Sequence, residues 1–163
     1  MSTILNTNGV NLEIPKVDIS VDGNFYIVWA EWNREITEAL KEGAEQVLKK
    51  AGVPDNQIVS VKVPGTVELV NAAALLVEHH DPAAVIIIGC VIRGDTPHFD
   101  YVCHIAAEGT ARLNALGKAP VIFGVLTVEN LQQAQERAGG VLGNKGAEAA
   151  VAAIEMANLH NNL

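Results

Sequence analysis

The chain has 163 residues, 49% of them hydrophobic but only 4% aromatic, and its eleven basic and nineteen acidic side chains give a net charge of −8. That length suits one domain with a sizeable aliphatic core, and the acidic balance argues against nucleic acid or an anionic membrane as the main partner. No apolar stretch nears the roughly 18 residues of a membrane span, and Met1 to Ile14 lacks the charged and apolar regions of a secretory leader, so Cys90 and Cys103 read as reduced thiols in a cytoplasmic protein.

The first signal is an alternation, Val17, Ile19 and Val21 against Asp18, Ser20 and Asp22, after Pro15. It reads as an edge strand with no assigned partner, one that could pair with another subunit's sheet. After the turn Asp22-Gly23-Asn24, the β-rich run to Ala30 predicts a first strand. Asn33 is a plausible cap for a helix with Ile36, Leu40, Ala44, Val47, Leu48 and Ala51 at helical spacing, and Gly52 ends it. Ile58 to Val63 is a second strand, broken by Pro64-Gly65, and Leu69, Val70, Ala73, Leu76 and Val77 mark a second helix.

Ala83 to Ile88 is apolar throughout, as in a strand buried on both faces. A helix from Val102 to Leu116 follows. Val121 to Leu126 continues from Pro120 as a fourth strand, and Thr127 can cap a helix from Val128 to Ala138. A glycine-rich link, Gly139 to Gly146, leads to a last helix with Ala147, Ala150, Val151, Ile154 and Ala157 on one face. Four strand–helix alternations predict an α/β fold with a parallel sheet and helices on both sides. Residues 1–22 read as an arm and 23–163 as a single domain.

Chemistry concentrates between the third strand and its helix, in Arg93-Gly94-Asp95-Thr96-Pro97-His98-Phe99-Asp100-Tyr101. Ligands of open α/β sheets bind at such carboxyl ends of strands. Imidazole suits proton transfer near neutral pH, so His98 is a candidate acid/base, although a histidine at a helix start can also merely cap or pack. Asp100 and Tyr101 could orient it, or Asp100 could simply favour the helix N-terminus. Backbone N–H groups of Gly94 to Thr96 offer an anion seat.

Arg137 and Lys145 flank the glycine-rich link and could clamp a phosphate. Glu68 opens a helix and could bind hydroxyls or complement its dipole. Cys90, His98, Cys103 and His104 match no compact zinc spacing, and neither a Gly-x-Gly-x-x-Gly nor a P-loop is present.

Four ordered blocks strongly resemble the 6,7-dimethyl-8-ribityllumazine synthase family: Trp32-Asn33; Val63-Pro64-Gly65-Thr66-Val67-Glu68; Val91 through Val102; and Phe123-Gly124 through Glu136-Arg137-Ala138-Gly139 to Gly143-Asn144-Lys145-Gly146. The resemblance covers about Asn24 to Leu159. It implies a flavodoxin-like three-layer sandwich with a four-stranded parallel sheet, its N-terminal arm adding a strand to a neighbouring subunit. It implies condensation of 5-amino-6-(D-ribitylamino)uracil with 3,4-dihydroxy-2-butanone 4-phosphate, the penultimate step of riboflavin biosynthesis, without cofactor or metal.

By the same resemblance His98 is the proton donor and acceptor, and Asp95, Thr96 and Arg137 bind phosphate. Trp32, Asn33, Thr66, Val67, Glu68, Cys90, Val91 and Ile92 contact substrate, with Phe123, Lys145 and Glu148 supplied, like Arg137, by a neighbouring subunit. Family members are pentamers at least, and the link length resembles that of sixty-subunit shells, leaving pentamer against icosahedral capsid open, as well as association with a riboflavin synthase. Three positions depart from the family pattern: Trp32 replaces a frequent Phe, Val67 a frequent aromatic, and the Gly139 to Leu142 link lacks a frequent lysine. Retention of His98, Arg137 and Lys145 favours catalysis, while the Val67 departure keeps in view the alternative of a non-catalytic shell-forming or flavin-like ligand-binding member of the fold.

Overall fold

The computed structural model describes residues 12–163. Four parallel strands, β1 (Phe25–Ala30), β2 (Ile58–Val63), β3 (Ala84–Ile92) and β4 (Val121–Val128), form one sheet in the order β2-β1-β3-β4. Around it run α1 (Arg34–Lys50), α2 (Glu68–His79), α3 (His98–Ala115), α4 (Leu131–Arg137) and α5 (Lys145–Asn161). This is the parallel α/β sheet with helices on both sides that the strand–helix alternation predicts, in the three-layer flavodoxin-like form that the resemblance implies. All six residues of β1 are buried, because successive side chains point to opposite faces and both faces are covered.

Phe25, Ile27, Ile86 and Ile88 face a core built with α1 and α5, where Leu40, Leu48 and Ile154 are fully buried. Val28, Val85 and Ile87 face the other way, toward Leu69 and Ala73 of α2. The first core admits little slack. A Cβ at Gly146 of α5 would overlap the Leu40 carbonyl of α1, and the Asn144 side chain fills the space beside Gly43.

Several element boundaries differ from expectation. β3 runs on past Ile88 to Ile92, because its ladder with β4 continues to Ile92 opposite Val128. β4 thereby absorbs Thr127 and Val128, and the next helix starts later, capped by Asn130, whose side chain accepts from the Gln133 N–H at 2.9 Å. α3 begins at His98 rather than Val102, since Pro97 (φ −65°) is preset for a helical first turn. The glycine-rich link folds into a small antiparallel pair, β5 (Ala138–Gly140) and β6 (Gly143–Asn144), with Gly139 and Gly143 at positive φ.

The alternation at Val17, Ile19 and Val21 does not make a strand. A turn interrupts it, with the Val21 N–H donating to the Asp18 carbonyl at 3.0 Å, and Ile19 is left fully exposed. Val17 and Val21 instead pack on the α1/α5 core. Asn158 of α5 holds this segment on both sides, donating to the Lys16 carbonyl and accepting from the Asp18 N–H, each at 2.9 Å. Most of the leader reading of Met1 to Ile14, and residues 1–11 of the expected 1–22 arm, lie outside the described residues. Among the described residues no helix is long and apolar enough to cross a membrane.

Candidate active site

Parallel strands end together, so the loops leaving β1, β2 and β3 share one edge of the sheet. Backbone bonds knit them: Glu31 N–H donates to the Val63 carbonyl at 2.8 Å and Trp32 N–H to the Pro64 carbonyl at 3.2 Å. Asn33 does not cap α1 with its side chain. It adopts a left-handed conformation (φ 58°), which Asn tolerates better than most residues, and its Nδ2 donates to the Cys90 carbonyl at 2.8 Å. The side chain thus ties the β1 exit to β3.

Trp32 is three-quarters exposed at this edge. A Cβ on Gly65 would lie 3.0 Å from Glu68 Oε2 and 3.9 Å from Trp32 Cδ1, so the glycine lets carboxylate and indole approach the same loop. Thr66 is buried, its hydroxyl seated against Gly89, where any side chain would collide with it. Val67 is partly open. Cys90 is buried and its thiol is pushed up to about 11 by desolvation, which leaves it protonated and without nucleophilic character near neutral pH.

Beyond Ile92 the chain leaves the sheet. Arg93 to His98 are all exposed, and His98 is the first residue of α3. Asp100, an expected orienter of His98, instead pairs through Oδ1 with Arg93 Nη1 at 3.3 Å. Arg93 Nε also meets the Glu129 carboxylate at 2.9 Å, and the guanidinium lies 4.1 Å from the Phe99 ring centroid. This arginine, named in the sequence only as part of the polar run, organises the loop. Glu129, its strongest partner, is 36 residues away, and no local spacing signals it.

The remaining expected residues lie elsewhere in the chain's own fold. Phe123 stands opposite Ile87, while Ile88 already pairs with Trp29 one residue before β1 ends, so Phe123 sits about 7 Å along the strand below the exits of β1 and β2. It is two-fifths exposed on the outer strand of the sheet. Arg137 closes α4, its Nη1 donating to the Gln133 carbonyl at 3.0 Å. Lys145 Nζ bonds both Glu148 carboxylate oxygens at 2.8 Å on the first turn of α5. The chain therefore gathers Trp32, Asn33, Thr66, Val67, Glu68, Cys90, Val91, Ile92, Asp95, Thr96 and His98 on one edge, and carries Phe123 on the outer strand just below it. Among the described residues no group of three His, Cys, Asp or Glu side chains is placed to hold a metal ion.

This arrangement offers an aromatic face, a carboxylate for hydroxyls, a loop of backbone N–H groups for an anion, and an imidazole beside it. Comparison with known proteins points the same way. Residues 22–161 match the family described as 6,7-dimethyl-8-ribityllumazine synthase. Curated proteins of that name are similar to this chain: one from Porphyromonas gingivalis is 56% identical over 82% of this chain and 83% of its own length. One from Bacteroides fragilis is 53% identical over 81% and 92%, and one from Cytophaga hutchinsonii 48% identical over 93% of each. By its fold and by the length of these matches, the chain belongs to the 6,7-dimethyl-8-ribityllumazine synthase family.

Proposed function

We propose that the chain is an enzyme that condenses 5-amino-6-(D-ribitylamino)uracil with 3,4-dihydroxy-2-butanone 4-phosphate to 6,7-dimethyl-8-ribityllumazine, the penultimate step of riboflavin biosynthesis, at the carboxyl edge of its sheet. The observation that carries the assignment of the site is the meeting of Trp32, Glu68 and the Gly94-to-His98 loop on the shared edge formed by β1, β2 and β3. Trp32 stacks on the pyrimidine and Glu68 accepts from ribityl hydroxyls, while Asn33, Thr66, Val67 and Cys90 to Ile92 shape the pocket. The Asp95-Thr96 backbone receives the phosphate; the Asp95 carboxylate would repel it.

The uracil's 5-amino group attacks the ketone carbon, and a first water leaves as the imine forms. Loss of a carbon-bound proton then expels phosphate with its electron pair. The resulting enol becomes a ketone, the ribityl-bearing nitrogen attacks it, and a second water leaves as the ring closes. Each step moves a proton, and none changes the overall redox state. His98, exposed beside the anion loop, takes and returns those protons. Holding two substrates together supplies much of the acceleration.

Phe123, Arg137, Lys145 and Glu148 complete the site from a neighbouring copy. Support for this reading is that Phe123 stands two-fifths exposed on the outer strand of the sheet, and that Arg137 and the Lys145–Glu148 pair are carried on α4 and α5 and not on the loops leaving β1, β2 and β3. A homopentamer, alone or gathered into an icosahedral capsid, in the cytoplasm, satisfies that requirement. Residues 1–22 serve as the assembly arm of the 23–163 domain, and a riboflavin synthase, which consumes the lumazine formed here, is a further partner of the assembly.

Mixing purified protein with both substrates and following lumazine absorbance and phosphate release tests the assignment; no rate above the uncatalysed condensation overturns it. His98→Ala is expected to slow turnover by about 10²-fold or less, and complete inactivity of the folded variant would contradict a mainly orientational mechanism. Native mass spectrometry, with and without residues 1–22, reads the assembly directly.

A further inference from the structure

We propose that Arg93 is a positioning residue that locks the anion loop and the first turn of α3 into working geometry. The proposal rests on the placement of His98 and the Asp95-Thr96 seat given above. The loop from Gly94 to His98 is exposed throughout, and a Cβ at Gly94 would meet nothing within 4 Å, so neighbouring side chains do not brace it there. Its two ends are braced instead, and by one residue.

At the entry, Arg93 N–H donates to the Val128 carbonyl at 2.9 Å, extending the β3–β4 ladder to the last residue before the loop. From there the guanidinium reaches across to the exit. It stacks on Phe99, immediately after His98, and its Nη1 pairs with Asp100 one residue further. Its Nε is fixed by Glu129, whose own backbone N–H donates to Gln133 Oε1 at 2.9 Å in the capped start of α4. A planar fork can hold two carboxylates in its plane and an aromatic ring on its face at once; an ammonium cannot.

Each of these pairs is partly solvated, so they add little to global stability. Their effect is geometric. With entry and exit pinned to one rigid group, the backbone N–H groups of the seat and the imidazole keep a fixed separation. Asp100 serves the guanidinium and not His98, so its contribution to catalysis passes through Arg93. The same guanidinium touches, through Glu129, the helix that ends in Arg137, so it also steadies the residue this copy lends to its neighbour.

The test compares Arg93→Gln, Arg93→Lys, Asp100→Asn and His98→Ala in the intact assembly, measuring kcat, KM for the butanone phosphate, the pH–rate profile, thermal midpoint and native mass. Arg93→Gln is expected to lose about 10- to 100-fold in kcat/KM, with a raised KM for the phosphate substrate and unchanged mass. Arg93→Lys recovers only part, because charge returns without the fork, and Asp100→Asn shows the same pattern more weakly. Kinetics within twofold of wild type for Arg93→Gln, while His98→Ala is slowed, overturn the positioning role alone. Full recovery by lysine overturns the geometric lock. Unchanged kinetics in His98→Ala mean that the site reading itself fails. Should Arg93→Gln not fold, Glu129→Gln and Asp100→Asn decide in its place: if neither alters the KM or the pH profile, the proposal falls.

Discussion

The two faces of the sheet are finished to different degrees. Under α1 and α5 the chain closes its own core: Leu40, Leu48 and Ile154 are fully buried, and helix backbones touch at Gly146. Under α2 and α3 it does not. The 18 residues of α3 bury only Ala106 and Thr110, while Tyr101 and Ile105 stand exposed on it and Leu75 on α2. A helix that packs so little of itself draws little support from its own chain. The first face carries the fold, and the second carries the helix on which His98 sits.

Substitutions can break or sharpen that contrast. Leu40→Ala on the closed face should cost about 2–5 kcal/mol, read from denaturant unfolding at fixed protein concentration. Gly146→Ala should cost about 3 kcal/mol, because the new methyl meets backbone and forces α1 and α5 apart. If both losses stay under 1 kcal/mol, the closed face is not the stabilising one.

Cys90 belongs to the same core and adds a pH signature. Its thiol titrates near 11 when folded against an ordinary 9.0. Between those values the unfolded chain has released a proton that the folded chain keeps. Stability therefore falls as pH rises through that window, by on the order of 2–3 kcal/mol at its upper end. Cys90→Ala should flatten this part of the profile relative to wild type; an unchanged slope would mean the thiol is not desolvated.

The smallest effect is expected on the open face. Ile105→Ser should change the intrinsic stability of the chain by less than about 0.5 kcal/mol. The same variant should weaken assembly if α3 lies between copies, seen as a lower native mass on dilution. A large loss of stability without dissociation would erase the contrast between the faces.

How much of this the sequence disclosed follows the same division. The Ala83 to Ile88 run and the helical spacing from Ile36 to Leu48 revealed their elements because burial within one chain leaves a periodic trace. The hydrophobic pattern places the start of α3 four residues late because its first turn, His98 to Tyr101, is largely exposed and leaves no packing trace. Thr127 looked like a cap because nothing in the sequence reports that β4 keeps pairing with β3 to Val128. The edge-strand pattern of Val17 to Val21 was real as alternation, but its asparagine partner, Asn158, lies 140 residues beyond Asp18. Residues at the sheet edge were legible through resemblance; the ties among them, Asn33 to Cys90 and Arg93 to Glu129, were not, because they join distant segments.

Gly146 has one more consequence. It is a point where the backbone of α1 lies directly against α5, and Lys145 and Glu148 stand on the same turn of α5. Asn144 fixes the height of that turn, donating to the Ala39 carbonyl at 2.9 Å and accepting from the Ala147 N–H at 3.1 Å. The address of a charged pair on the outside is thus written by a missing side chain on the inside. Sliding α5 along α1 by one residue would move that pair about 1.5 Å, and the bare backbone contact leaves no room for the slide.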